Sequence, residues 1–337
     1  MNKTLVMSAA LCVAASPACA QSSVTTFGIV DVNVRYVKND GQPSKKVMGT
    51  DGLNSSRLGF RGTEDLGGGL SAGFWIEGGM TPNDGNAAGF NFRRRSTVSL
   101  VSTTWGELRL GRDYTPSFWT RAWYDPFGEN GFGLTSNVDP QTTQPTYIRA
   151  SNSIGYLLPN TLGGIYGQAM VAAGEGTPNG KYVGARLGYA KGPLDVSVAV
   201  ARQALNFGDN TYATWVAGAK YDFGVVTLEG AYNHDHIDIG AGTTYKHWLL
   251  GAVVPLGQAE IHASYNKTDA GSGSGAKALA LGVVYNLSRR TAIYSTVARL
   301  DNQGNFKQSV DWIQVAPTPV TVGGKSQGLE LGLRHIF

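Results

Sequence analysis

The chain of 337 residues has only two cysteines, Cys12 and Cys19, and both fall in a leader-like segment at its start. There Lys3 supplies a positive n-region, Leu5 to Ala15 an apolar h-region, and Ala18-Cys19-Ala20 an A-x-A cleavage pattern before Gln21. Residues 1–20 therefore read as an export signal and residues 21–337 as one mature domain, since no linker-like shift in composition divides them. A mature chain without cysteine excludes a disulfide-stapled fold and a thiolate-ligated metal. No window approaches the ~20 consecutive apolar residues that a membrane helix needs. An excess of one charge is missing too. Removing Lys3 from the 28 basic residues leaves 27 against 24 acidic ones, a net +3, too even for a nucleic-acid surface.

Catalytic constellations are equally scarce. No Ser/His/Asp set or carboxylate pair has local support, so the sequence does not point to an enzyme. Gly67-Gly68-Gly69 and Gly271-Ser272-Gly273-Ser274-Gly275 are glycine-rich, but neither leads into a helix with the Lys of a phosphate cradle. His234-Asp235-His236-Ile237-Asp238 has the composition of a metal site. It falls in an expected external loop, where solvated side chains are the plainer reading, and no cofactor is expected.

What the chain does have is alternation. In its last ten residues Leu329, Leu331, Leu333, His335 and Phe337 share one face, and Gly328, Glu330, Gly332, Arg334 and Ile336 the other. Val30, Val32, Val34 and Tyr36 likewise oppose Asp31, Asn33 and Arg35, and the pattern recurs along the chain. Only the strand at Thr291–Leu300 is ambiguous, with small or apolar residues at both parities. The count is 16 strands, joined alternately by seven short turns and eight long loops. Long loops are expected near Lys38–Asn54, Gly78–Phe92, Asp113–Tyr147 and His234–His247, among others. Segregated loop lengths suit an up-and-down barrel, and a ring of ~16 strands is too wide for side chains to fill. Its polar, glycine-rich face must then meet water inside and its apolar face lipid outside, with tyrosines such as Tyr36, Tyr189 and Tyr285 as interfacial girdles. The expected fold is an all-β, 16-stranded antiparallel transmembrane β-barrel.

One stretch departs from the alternation. Residues Asp113 to Gln144 carry aromatics, prolines and charges with no period, and six aromatics (Tyr114, Phe118, Trp119, Trp123, Tyr124, Phe127) argue against disorder. A folded segment inside the ring is the expectation.

Several segments resemble the general diffusion porins of Gram-negative outer membranes, especially the neisserial and β-proteobacterial branch. They are Ser56-Arg57-Leu58-Gly59-Phe60-Arg61-Gly62-Thr63-Glu64-Asp65-Leu66-Gly67, Leu110-Gly111-Arg112-Asp113-Tyr114-Thr115-Pro116, Arg149-Ala150-Ser151-Asn152-Ser153-Ile154 and the terminal Phe337. The resemblance runs the length of the mature chain. It implies a homotrimer in contact with outer-membrane lipid and lipopolysaccharide, passing small hydrophilic solutes and anions passively. It also implies that the third loop folds inward and sets acidic residues against wall arginines. The residues this marks are Arg57, Arg61 and Arg149, a third wall arginine best aligned at Arg94, and the carboxylates Asp125 and Glu129. Glu77 joins them as an inward acid by parity. Alternation favours Arg93 and Arg95 over Arg94, so that choice stays open. Three or four arginines against two or three carboxylates imply modest anion preference. A substrate-specific channel of the same architecture is the alternative, with Tyr114, Trp119 and Trp123 as an aromatic track.

Overall fold

A computed structural model describes residues 23–85, 91–175, 180–205, 210–311 and 320–337. The expected signal, residues 1–20, lies outside the described residues. The strands are Ser23–Asn39 (β1), Lys45–Thr50 (β2), Arg57–Gly67 (β3), Leu70–Gly79 (β4), Arg95–Ser102 (β5), Gly106–Tyr114 (β6), Arg149–Leu157 (β7), Ile165–Ala172 (β8) and Tyr182–Lys191 (β9). They continue as Leu194–Ala204 (β10), Thr211–Asp222 (β11), Thr227–Ile237 (β12), Thr243–Leu256 (β13), Ala259–Asp269 (β14), Gly275–Asn286 (β15), Thr291–Gln303 (β16) and Lys325–Ile336 (β17). Each pairs antiparallel with its neighbour, and β1 pairs with β17 from Ile29↔Ile336 to Asn39↔Ser326, which closes the ring. Phe337 and Gly28 complete the seam with two reciprocal backbone bonds of 3.0 Å.

The ring has 16 positions although the described residues form 17 strands, because β2 and β3 share one. β2 pairs with the outer part of β1 (Val32↔Thr50) and β3 with its inner part (Ile29↔Arg57). Between them the chain steps out of the ladder, and the Asp31 carboxylate accepts the amides of Gly52, Leu53 and Asn54 at 3.3, 2.8 and 2.7 Å. Much of the expected long loop at Lys38–Asn54 is therefore strand β2. The expected loop at His234–His247 is also shorter, since β12 runs to Ile237 and β13 begins at Thr243. Alternation along β12 buries Asp235, while His234 stacks on the outward Trp215, so these side chains cannot share a metal.

The two faces are as the alternation requires. Along β17, Leu329, Leu331 and Leu333 are each at least half exposed on the outside, while Glu330 between them is buried. Tyr36, Tyr189, Tyr221, Tyr285 and Phe337 are exposed as well. No helix of the described residues is long and apolar enough to cross a membrane. The strands span it instead, and closure gives each strand of the ring a hydrogen-bonded neighbour on both sides, as hydrocarbon demands.

The third loop, residues 115–148, crosses the interior. Thr115 caps its helix Pro116–Trp123 (α1), its hydroxyl accepting the Phe118 amide, and Pro116 opens the first turn. The loop packs on the far wall where that wall is glycine. A Cβ at Gly218 would strike the Tyr124 ring, at Gly251 Pro126, at Gly282 Phe127 and at Gly328 Phe132. Phe127, Phe132 and Val138 thereby form an apolar core with Ala276, Ala278, Ala280, Ala298 and Leu300 of β15 and β16. This explains the ambiguous strand: Thr291–Leu300 faces lipid on one side and a folded loop, not water, on the other.

Candidate functional site

The inner wall opposite the loop's anchorage carries the basic residues. Arg57 begins β3, Glu77 lies near the end of β4, and Arg94 immediately precedes β5, its N–H donating to the Glu77 carbonyl at 3.1 Å. The Glu77 carboxylate accepts Arg94 Nε at 2.6 Å and Trp75 Nε1 at 3.1 Å, with Arg57 Nη1 at 3.5 Å. Arg149 begins β7 in register with Tyr114, the last residue of β6. The Tyr114 hydroxyl oxygen accepts Arg94 Nη2 at 2.9 Å and Arg149 Nη2 at 2.6 Å. Arg57, Glu77, Arg94, Tyr114 and Arg149 thus form one continuous chain, with three guanidinium groups to one carboxylate.

The triple arginine is resolved in favour of two residues. Arg94 points inward because it lies before the regular strand, where parity does not apply. Arg95 points inward by parity, its guanidinium 4.7 Å from the Trp75 ring centre and 3.8 Å from the Asp113 carboxylate. Arg93 is exposed, and its carbonyl accepts Arg112 Nε at 2.6 Å. Arg61 stands apart from the chain. Four residues beyond Arg57, hence about 13 Å along the strand, it lies over the rings of Phe27 and Trp75 at 5.4 and 5.2 Å.

The loop carboxylates are turned to the loop itself. Asp125 accepts the amides of Phe127, Glu129 and Thr135 at 2.9, 3.1 and 3.0 Å, and Glu129 accepts that of Ser136 at 3.2 Å. Neither forms an ion pair with Arg57, Arg94 or Arg149 among the described residues. The tight turn that does this runs through Gly128 and Gly131 at φ 56° and 64°. Burial, then the adjacent Asp125 charge, pushes the Glu129 carboxyl up to about 8, with Arg121 opposing weakly. Burial also raises Asp125, against the pull of its three amides.

An acid raised in the folded state binds its proton more tightly there. The loop is therefore firmest below the ordinary carboxylate range and loses that contribution as pH rises through about 8. Raising pH from 7 to 9 is expected to add a negative charge and to increase current noise from the loop. Glu129→Gln should flatten this dependence; equal pH responses of the two proteins would refute it.

Sequence reasoning missed the groups that fix the loop. Arg121 on α1, only 3% exposed, donates through Nη2 to Asp235 at 3.0 Å, Thr214 at 2.8 Å and Tyr212 at 3.1 Å, and lies 4.5 Å from the Tyr147 ring centre. His247 Nε2 lies 3.1 Å from Asp235 and 3.6 Å from Asp139. Donor atoms of Asp139, Asp235 and His247 fall within 4.8 Å of one another, but the Arg121 cation already sits on Asp235. That makes the cluster a charge network between loop and wall. Trp123 Nε1 and the Tyr124 hydroxyl donate to Asp195 at 2.6 and 3.0 Å, and the Phe132 amide to Glu330 at 2.9 Å. Trp119 rests against Tyr114, ring centres 5.1 Å apart. The aromatics of the alternative solute track therefore hold the loop. Their wall partners all lie at inward parity, a signal present in the sequence but common to every polar wall residue.

The arrangement is a closed barrel whose third loop packs on one side of the inner wall and whose basic cluster lies on strands of the other side. The profile of the Gram-negative porin family matches residues 8–305. Outer membrane porin protein 32 of Delftia acidovorans is 41% identical over 356 residues, covering 100% of both chains. An outer membrane porin protein of Bordetella pertussis is 34% identical over 269 residues, 69% of each. Among solved structures, an anion-selective porin from Comamonas acidovorans superposes with a TM-score of 0.86 at 40% identity, covering 94% of this chain and 100% of that one. A trimer form of OmpT of Vibrio cholerae shares the fold, with a TM-score of 0.71 at 15% identity over 94% and 99% of the chains. The chain belongs to the Gram-negative porin family and forms a diffusion channel of the outer membrane.

Proposed function

We propose that this channel passes ions and small hydrophilic solutes passively, with no catalytic step and a modest preference for anions. The chain Arg57–Glu77–Arg94–Tyr114–Arg149 carries that reading: three guanidinium groups against one carboxylate leave excess positive charge on the wall facing the loop. Between low-dielectric walls such a charge concentrates the opposite ion, and arginine keeps it at every working pH. In this reading Arg57, Arg94 and Arg149 form the constriction with Glu77. Arg61 acts as a vestibule charge, and Asp125 and Glu129 shape the loop. The Comamonas protein described as anion-selective, 40% identical, supports the sign. The outward apolar band and its tyrosines fit outer-membrane lipid and lipopolysaccharide. A homotrimer is supported by the family and by the trimeric OmpT form.

Reconstitution into a planar bilayer under a potassium chloride gradient tests the proposal. Stepwise conductance with a reversal potential directed toward chloride is expected. Absence of steps would overturn the channel, and a potassium-directed potential the anion preference.

A further inference from the structure

We propose that Tyr114 is a specificity-determining residue of the pore, holding the guanidinium groups of Arg94 and Arg149 as one anion cradle. This rests on the reading of those arginines as the constriction. A phenol oxygen offers two acceptor sites and one proton. Both acceptor sites are taken, by Arg94 Nη2 at 2.9 Å and Arg149 Nη2 at 2.6 Å. The hydroxyl proton has no acceptor among the described residues. An oxygen that receives two cationic donors must turn its own O–H away from both, which makes it a further donor to an anion held beside them.

The ring is fixed for this task from every side. It stacks on Phe118, centres 5.4 Å apart with planes 9° apart, and meets Trp119 at 5.1 Å. The Arg149 guanidinium lies over its face at 4.1 Å. Tyr114 is also the last residue of β6, pairing with Arg149 across the ladder, so strand register and loop entry both determine where the hydroxyl sits. Two like charges left to themselves would separate into the water of the lumen. A shared acceptor keeps them within reach of one bound anion, and Glu77 pins only Arg94 and Arg57. Arg149 has no ion pair among the described residues, and its Nε makes no hydrogen bond. Of the wall arginines it depends most on the phenol.

Tyr114→Phe is the direct test, because it keeps the ring, its stacking and the cation–π contact and removes only the oxygen. In bilayers under a potassium chloride gradient, the chloride-to-potassium permeability ratio is expected to fall about twofold or more, with the lumen field as the cause. The change should be smaller in molar salt. The same substitution in an Arg94→Ser/Arg149→Ser background should change the ratio no further. An unchanged ratio for Tyr114→Phe would overturn the proposal, as would an equal effect in both backgrounds. If the double arginine variant itself leaves selectivity intact, the constriction assignment fails, a result separate from failure of Tyr114 alone. Heat resistance of the assembled protein on gels, equal in all variants, separates these effects from misfolding.

Discussion

Replacing Arg121 with alanine should release the third loop from the far wall and give channels of larger, noisier conductance. Arg121 is the basic member of a buried network: one nitrogen reaches Asp235, Thr214 and Tyr212 at once, and the guanidinium lies over Tyr147. Asp235 is fully buried and Asp139 nearly so. Without the arginine, two buried carboxylates face a single histidine. Removing one member of a buried ion pair costs about 3–5 kcal/mol, because the remaining charge is left desolvated. Each ~1.4 kcal/mol is tenfold in an equilibrium, so a loop docked nearly all the time would spend a visible fraction of it undocked. The barrel itself should persist, since its ladder closes through β1 and β17 without the loop. Arg121→Leu combined with Asp235→Leu should recover most of the docking, because apolar replacement of a whole pair is often near neutral. Single-channel recordings supply the check. Wild-type conductance and noise in Arg121→Ala would show that the remaining contacts, Trp123 and Tyr124 with Asp195 and the apolar packing of Phe127 and Phe132, hold the loop without it.

The barrel is legible in the sequence for a physical reason. Each strand separates lipid from water, so the residue period of a strand is written directly into polarity. The same reason explains where legibility ends. At Thr291–Leu300 the inner side is covered by Phe127, Phe132 and Val138 of the loop, so Ala298 and Leu300 face inward without being polar. The break between β2 and β3 depends on Asp31 gathering three amides more than 20 residues away, which no local pattern records. Arg57, Glu77 and Arg149 can be placed because they sit in or at the ends of regular strands. Arg94 cannot be separated from Arg95 by pattern, since the first lies outside the regular strand and the second inside it. Asp125 and Glu129 do not confront the wall as the resemblance implies. Two left-handed glycines instead fold the chain so that loop amides capture both carboxylates, a preference set by backbone geometry.

That capture sharpens the electrostatic expectation for the pore. With the Glu129 carboxyl raised to about 8, the loop offers less negative charge near neutrality than its two carboxylates would, and the three arginines of the wall cluster outweigh it. Replacing Arg57 and Arg149 together with serine should therefore abolish most of the anion preference. It would leave Arg94 paired with Glu77, a locally neutral unit. A unit charge ~7 Å from the ion path, in water-like dielectric, is worth about 0.6 kcal/mol, close to thermal energy. It raises the local anion concentration about threefold and lowers that of cations equally, since the Boltzmann factor acts in opposite directions. Two such charges removed predict a change in permeability ratio on the order of tenfold or more at low salt. In 1 M salt the Debye length is about 3 Å, and the wild-type and variant ratios should converge. Arg57→Lys with Arg149→Lys is the discriminating control. Lysine keeps the charge and loses the planar donor fork, so it should retain selectivity if charge alone governs permeation. Loss of selectivity in the lysine pair would instead place the determinant in the geometry of the cradle around Tyr114.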